Sequence, residues 1–139
     1  MCYPIRLELE ADGDYVVTIP DIGYGATQGD TLAESLDQAE DLLEEAILGI
    51  MANDEDAPLP FPARGRPVAG LPALTAAKRE LYRAMRAAGF GKEEVAARLR
   101  WTPSQVTRFF DGRHAVRLDQ VETALAALGR RLVVTSEAA

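Results

Sequence analysis

Much of what common function classes require is scarce in this chain. One cysteine, Cys2, stands in 139 residues, so no internal disulfide can form, and a lone thiol near a terminus reads as a bystander. The only histidine is His114, which leaves the N-terminal half without the side chain that most often moves protons at neutral pH. No apolar run approaches the roughly 20 residues a bilayer span needs, and the start of the chain lacks the basic-then-apolar pattern of a secretory signal. These absences predict a cytoplasmic protein with no membrane partner. Nothing in the sequence asks for a metal or an organic cofactor.

The most telling scarcity is of positive charge at one end. Residues 1–57 hold fifteen acids against the single base Arg6, a net of −14, whereas residues 58–139 hold fourteen bases against seven acids, a net of +7. The overall charge of −7 conceals this split. Summed charge governs association rather than fold, so the acidic part should attract a basic partner and the basic part a polyanion.

Along the acidic part, Tyr3, Ile5, Leu7 and Leu9 alternate with polar residues at the period of a half-buried strand. Asp12 and Gly13 supply a hairpin turn, and Tyr15, Val17 and Ile19 resume the alternation until Pro20. A third, glycine-rich strand is expected around Tyr24 to Gln28. Thr31 and Glu34 form a capping box ahead of a long helix, with Leu32, Leu36, Ala39, Leu43, Ala46, Ile47 and Ile50 on one stripe and acids on the other. That helix is the only element available to cover the sheet.

Five of the eight prolines fall between Asn53 and Pro72, where the charge changes sign. The expected organisation is therefore an acidic α+β domain over 1–57, a proline-rich connector over 58–72 in which Arg66 to Leu71 can add an edge strand, and a basic domain over 73–139. The basic domain reads as four short helices. Thr75 caps the first, which carries Leu81, Tyr82, Met85 and Ala88 inward. Lys92 to Leu99 makes the second. The third starts at Thr102, Pro103, Ser104 and Gln105, with a threonine cap, proline where its missing N–H is harmless, and glutamine closing the box. Asp119 and Glu122 repeat the cap pattern before the fourth. Leu132, Val133 and Val134 read as a terminal strand without a partner in its own half, available to a second subunit.

Two short helices joined by a tight turn at Arg100 and Trp101, the second beginning at a polar N-terminus, make a helix-turn-helix. Such a second helix enters the major groove with its N-terminal side chains toward base edges while flanking donors hold phosphates. Pro103, Ser104, Gln105, Thr107 and Arg108 form the groove-facing set, with Arg108 placed for bidentate contact with guanine, and Lys92 and Arg113 are the phosphate contacts. Arg100 occupies a turn position that commonly holds glycine; a left-handed conformation there costs a non-glycine residue about 1 kcal/mol or slightly more. His114, in the loop beside an arginine, has chemistry suited to a phosphate or a pH sensor but reads as incidental.

At these residues the chain resembles the HicB-type antitoxins of bacterial HicA–HicB pairs. The segment YVVTIPDIGYGATQGDTLAESLDQAEDLL resembles that family's N-terminal signature, with Pro20, Asp21, Gly29, Asp30, Thr31 and Glu34 at the recurrent positions. LPALTAAKRELYRAMRAAGFGKEEVAARL and LDQVETALAALGRRLVV resemble the branch that ends in a repressor-like helix-turn-helix. The resemblance implies a partial RNase H-like N-terminal fold, a small basic mRNA-cleaving HicA-type toxin as partner, homodimers or higher oligomers, and repression of the pair's own promoter at operator DNA. It assigns no toxin-contact residues. Two other readings compete: a free-standing regulator whose first domain senses a small ligand, and a carboxylate-and-metal nuclease. The second is disfavoured by the missing histidine and by acids that a solvated helix face already explains.

Overall fold

The computed structural model describes residues 1–23, 25–112 and 114–138. The chain divides into two compact units, Met1–Ala76 and Ala77–Ala139, with the division inside a helix. Among the described residues, no helix is long and apolar enough to cross a membrane.

The first unit is α+β. Its strands are β1 (Cys2–Pro4), β2 (Arg6–Leu9), β3 (Tyr15–Thr18), β4 (Thr27–Gly29) and β5 (Val68–Gly70), and its long helix is α1 (Leu32–Ala52). The meander β2-β3-β4 is antiparallel, with Leu7 opposite Val17 and Val17 opposite Thr27. The expected single strand from Tyr3 to Leu9 is broken at Ile5. Its first part instead pairs with β5 in a separate two-stranded sheet, Tyr3 opposite Ala69. Ile5 marks the change of partner, because its N–H donates to the Pro67 carbonyl at 2.9 Å. The expected third strand begins at Thr27 rather than near Tyr24, which lies outside the described residues.

Helix α1 packs against β3, β4 and β5. Ala39, Leu43, Ala46, Ile47, Ile50 and Met51 are buried, as are Tyr3, Ile5, Val17, Ile19, Ala69 and Leu71. Complete burial of a large apolar side chain contributes roughly 1.5–3 kcal/mol, so this stripe is the main source of the unit's stability. Leu32, expected on the stripe, lies at the first turn and is exposed. Gly29 sets how closely β4 meets α1. A Cβ there would lie 2.7 Å from Ser35 Oγ and 2.8 Å from the Ser35 backbone nitrogen.

The proline-rich stretch is tied down along its length. Tyr3 Oη donates to the Pro58 carbonyl at 2.7 Å, the Phe61 N–H donates to Asp21 Oδ2 at 2.9 Å, and the Leu71 N–H donates to the Met1 carbonyl at 3.0 Å.

Among the described residues four helices follow: α2 (Ala73–Ala87), α3 (Lys92–Leu99), α4 (Pro103–Phe110) and α5 (Leu118–Ala127). Two starts differ from expectation. Thr75 is not the cap of α2; the Pro72 carbonyl accepts the first helical bond from Ala76, and buried Thr75 donates its hydroxyl to Glu44 Oε1. A long-range partner outcompetes the local cap. Helix α5 starts at Leu118 rather than after Asp119, because Gln120 Oε1 accepts from the Arg117 N–H at 2.9 Å. Ala88 is exposed rather than buried. Residues 130–138, which include Leu132 to Val134 where a terminal strand was expected, form neither strand nor helix, and the helical unit has no other strand among its described residues; Val133 and Val134 are exposed.

Candidate nucleic-acid interface

The helix-turn-helix is α3, the turn Arg100–Thr102, and α4. Val95 and Ala96 of α3 are buried with Val106, Phe109 and Phe110 of α4, and Val121, Ala124 and Leu125 of α5 complete the cluster. Phe110 meets Tyr82 edge-on with centroids 5.8 Å apart, and Phe109 meets Phe110 at 5.2 Å. Aromatic contacts of this kind add roughly 0.5–1.5 kcal/mol beyond area burial and fix one helix on the other.

The turn is made by a backbone motif that occurs three times among the described residues of this unit. After α2, the Phe90 N–H donates back to the Met85 carbonyl while Gly89 sits at φ 74°. After α5, the Arg130 N–H donates to the Leu125 carbonyl while Gly129 sits at φ 72°. After α3, the Trp101 N–H donates to the Ala96 carbonyl at 2.9 Å, and the left-handed residue is Arg100 at φ 56° and ψ 35°. The helix-ending geometry is the same in all three, and only at the helix-turn-helix is it forced on a residue that has a Cβ.

Helix α4 has the complete capping box expected for it. Thr102 Oγ1 accepts from the Gln105 N–H at 3.1 Å and Gln105 Oε1 accepts from the Thr102 N–H at 2.7 Å. This geometry also narrows the expected reading set. Pro103 offers no donor, and Thr107 already donates its hydroxyl to the Pro103 carbonyl at 3.1 Å. Gln105 keeps its NH2 but has used its carbonyl. Ser104 and Arg108 are exposed, and among the described residues neither side chain has an ion pair or hydrogen bond. Of the expected set, Arg108 thus keeps the most donors free, five N–H groups with no acid paired to it among the described residues.

Lys92, expected at a phosphate, is half-buried at the start of α3 with Nζ 5.8 Å from the centre of the Phe110 ring. Arg113, the other expected phosphate contact, lies outside the described residues. Residues that sequence reasoning left out of the set border the same surface. Gln105 and Arg108 open onto a cleft that is also lined by Trp101, Phe109, His114 and Gln120. No sequence signal marked Gln120, whose helix was expected to begin later. His114 Nε2 lies 3.7 Å from Asp111 Oδ2.

In the first unit the acids of α1 face solvent: Glu34, Asp37, Glu40, Asp41 and Glu45 are exposed. Where the β2–β3 turn approaches the start of α1, Asp12 beside Asp14 pushes the Asp14 carboxyl above its ordinary value, aided by partial desolvation and by Asp30 and Glu34. Carboxylates here are crowded enough to repel one another. By residue count, Met1–Ala76 holds fifteen acids and three bases, a net of −12, and Ala77–Ala139 holds twelve bases and seven acids, a net of +5.

Comparison with known proteins finds both parts. Residues 2–80 match a family described as HicB-like antitoxin of bacterial toxin–antitoxin systems, and residues 79–137 match a helix-turn-helix domain family. The chain is 35% identical over 137 residues to Antitoxin HicB 1 of Photorhabdus laumondii, covering 99% of this chain and 88% of that one. It is 33% identical over 133 residues to Antitoxin HicB of Escherichia coli K12, covering 95% and 96%. It is 38% identical over 134 residues to Antitoxin HicB of Pseudomonas fluorescens, covering 94% and 90%.

Proposed function

This chain belongs to the HicB-like antitoxins of bacterial toxin–antitoxin systems, and on that premise we propose that it holds a small, basic, mRNA-cleaving toxin of the HicA type on its acidic first unit and represses the pair's own promoter through its helix-turn-helix. The reading places it in the cytoplasm as a binding protein rather than an enzyme. The observation that carries it is the pairing of opposite charge with separate units: a net of −12 on the α+β unit and +5 on the helical unit. A toxin that grips RNA needs a positive surface; an anionic cover both steers toward that surface and competes with the RNA for it.

On the DNA side, Arg108 reads a base and Lys92 and Arg113 support the backbone. Two copies of the chain present two reading helices, so half-sites lie about one helical turn, roughly 34 Å, apart or a multiple of it. The exposed Val133 and Val134 suit pairing between those copies.

The test is a gel-shift titration with a duplex from the chain's own promoter. Arg108→Ala weakens binding roughly 10- to 100-fold and relaxes preference at one base pair, while Lys92→Ala weakens all sequences alike. Equal small effects from both substitutions contradict the groove assignment. For the toxin side, the product of the adjacent reading frame should co-purify with the full chain, and failure to retain any small basic neighbour contradicts the antitoxin reading.

A further inference from the structure

The run from β1 into β2 changes partner at Ile5, and the change leaves one edge of the acidic unit open. Within an antiparallel pair, alternate residues turn their N–H and C=O toward the neighbouring strand and the others turn theirs away. The Glu10 N–H donates to the Asp14 carbonyl at 2.8 Å, so even-numbered residues of β2 serve β3 and odd-numbered ones serve the opposite edge. That opposite edge is the one β5 occupies further back, where the Ile5 N–H donates to the Pro67 carbonyl and the Met1 carbonyl accepts from the Leu71 N–H. Strand β5 therefore covers the odd-numbered groups only as far as Ile5. Leu7 and Leu9 continue the same edge, at the rim of the β2-β3-β4 sheet, and among the described residues nothing bonds to their N–H and C=O groups.

The side chains along this edge suit an incoming strand. Leu7 stands opposite buried Val17 but is only half-buried, and Leu9 is 66% exposed. Edges that stay unpaired are blunted by proline, lysine, a bulge or a covering element. Residues 6–10 hold neither proline nor lysine, their register with β3 runs without a bulge, and α1 packs against β3, β4 and β5. Exposed Glu8 and Glu10 alternate with the two leucines. Resting on the antitoxin reading above, we propose that the basic toxin docks at this edge by adding a strand of its own in which apolar and basic residues alternate. The apolar ones lie against Leu7 and Leu9 and the basic ones against Glu8 and Glu10, so main-chain bonds supply affinity and the alternation supplies specificity. A second copy of this chain is the poorer occupant. Pairing about a two-fold axis through both leucines sets Glu8 against Glu8, and although Arg6 then faces Glu10, two units of net −12 are brought together.

Amide hydrogen exchange reads the edge without altering it. It is followed by NMR on the full chain, alone at two concentrations and then saturated with the basic protein of the adjacent reading frame. Substitution by proline tests the same N–H from the other side. The Leu9 N–H makes no bond to β3, so Leu9→Pro removes a donor from the open edge alone, and proline is tolerated on such an edge. Ala11→Pro is the control. The Gly13 N–H donates to the Glu10 carbonyl at 3.0 Å, which makes Ala11 the second residue of a turn, a position that proline favours.

In the chain alone the Leu7 and Leu9 amides should exchange as fast as in an unstructured chain at both concentrations, and in the complex they should slow roughly 100-fold or more. Leu9→Pro should weaken binding of the basic protein about tenfold or more and Ala11→Pro about threefold or less, with both variants melting where the parent does. Should Leu9→Pro melt lower, exchange in the parent chain decides alone. A complex in which both amides still exchange freely overturns the edge assignment and leaves the antitoxin reading intact, as does equal binding by the two folded variants. Protection that appears in the chain alone and rises with its concentration makes a second copy the occupant and overturns the toxin. Failure of the basic protein to bind the parent chain removes the antitoxin reading, and the edge assignment falls with it.

Discussion

At the scale of single residues, the helix-turn-helix carries a cost that its neighbours avoid. Arg100 adopts the left-handed conformation that Gly89 and Gly129 adopt at the ends of α2 and α5. Arg100→Gly should stabilise the chain by about 1 kcal/mol, read as a higher melting temperature; an unchanged or lower value would show that the Arg100 side chain offsets the backbone penalty. Gly29→Ala should act in the other direction, by roughly 1–3 kcal/mol, because the new methyl meets the Ser35 backbone nitrogen and a backbone cannot rotate away. Asp14 gives a pH signature. Its carboxyl is raised by Asp12 and the acids around it, so the folded state binds the proton more tightly than the unfolded state. That repulsion lowers stability at neutral pH and is relieved as pH falls through the raised value. Asp14→Asn should therefore raise the melting temperature at pH 7, with the difference shrinking in acid; a constant difference at all pH values contradicts the assignment. The need for left-handed geometry at Arg100 was legible in the sequence from the turn itself. The role of Gly29 beneath Ser35 was not, because nothing local reveals which backbone will come close.

At the scale of elements, caps decide where helices begin, and they were legible where both partners are local. The Thr102–Gln105 box formed as its spacing implied, and Thr31 caps α1 by accepting from the Glu34 N–H at 3.1 Å. Even there the return bond differs, since Glu34 Oε2 accepts from the Asp30 N–H rather than from that of Thr31. Thr75 was misread because its partner, Glu44, is 31 residues away, and Asp119 because Gln120 offered the better acceptor to Arg117. The strand from Tyr3 to Leu9 was read as one element because alternation continues through Ile5, whereas its division depends on β5, more than sixty residues on. Thr102→Ala should cost about 1 kcal/mol and Thr102→Asp almost nothing, by thermal melting; equal losses would mean that the cap hydrogen bond contributes little. Leu43→Ala, which removes a fully buried side chain from α1, should cost about 2–5 kcal/mol.

At the scale of the whole molecule, opposite charges sort onto two compact units, a property visible in the sequence before any element is assigned. The family relationship covers the same two parts, with residues 2–80 on one model and 79–137 on another. Of the residues expected to face the groove, Arg108 is exposed as its position implies, whereas the engagement of Thr107 and of the Gln105 carbonyl in backbone bonds, and the cleft that Trp101, His114 and Gln120 line beside them, depend on side-chain geometry that spacing does not carry. Because the proposed partners occupy different units, neither should have to leave for the other to bind. Native mass spectrometry of the full chain co-expressed with the adjacent small basic protein, before and after addition of the promoter duplex, tests this most directly. The account predicts a mass containing all three components at low ionic strength. A spectrum in which the duplex displaces the basic protein, or in which the chain retains neither partner, would contradict it.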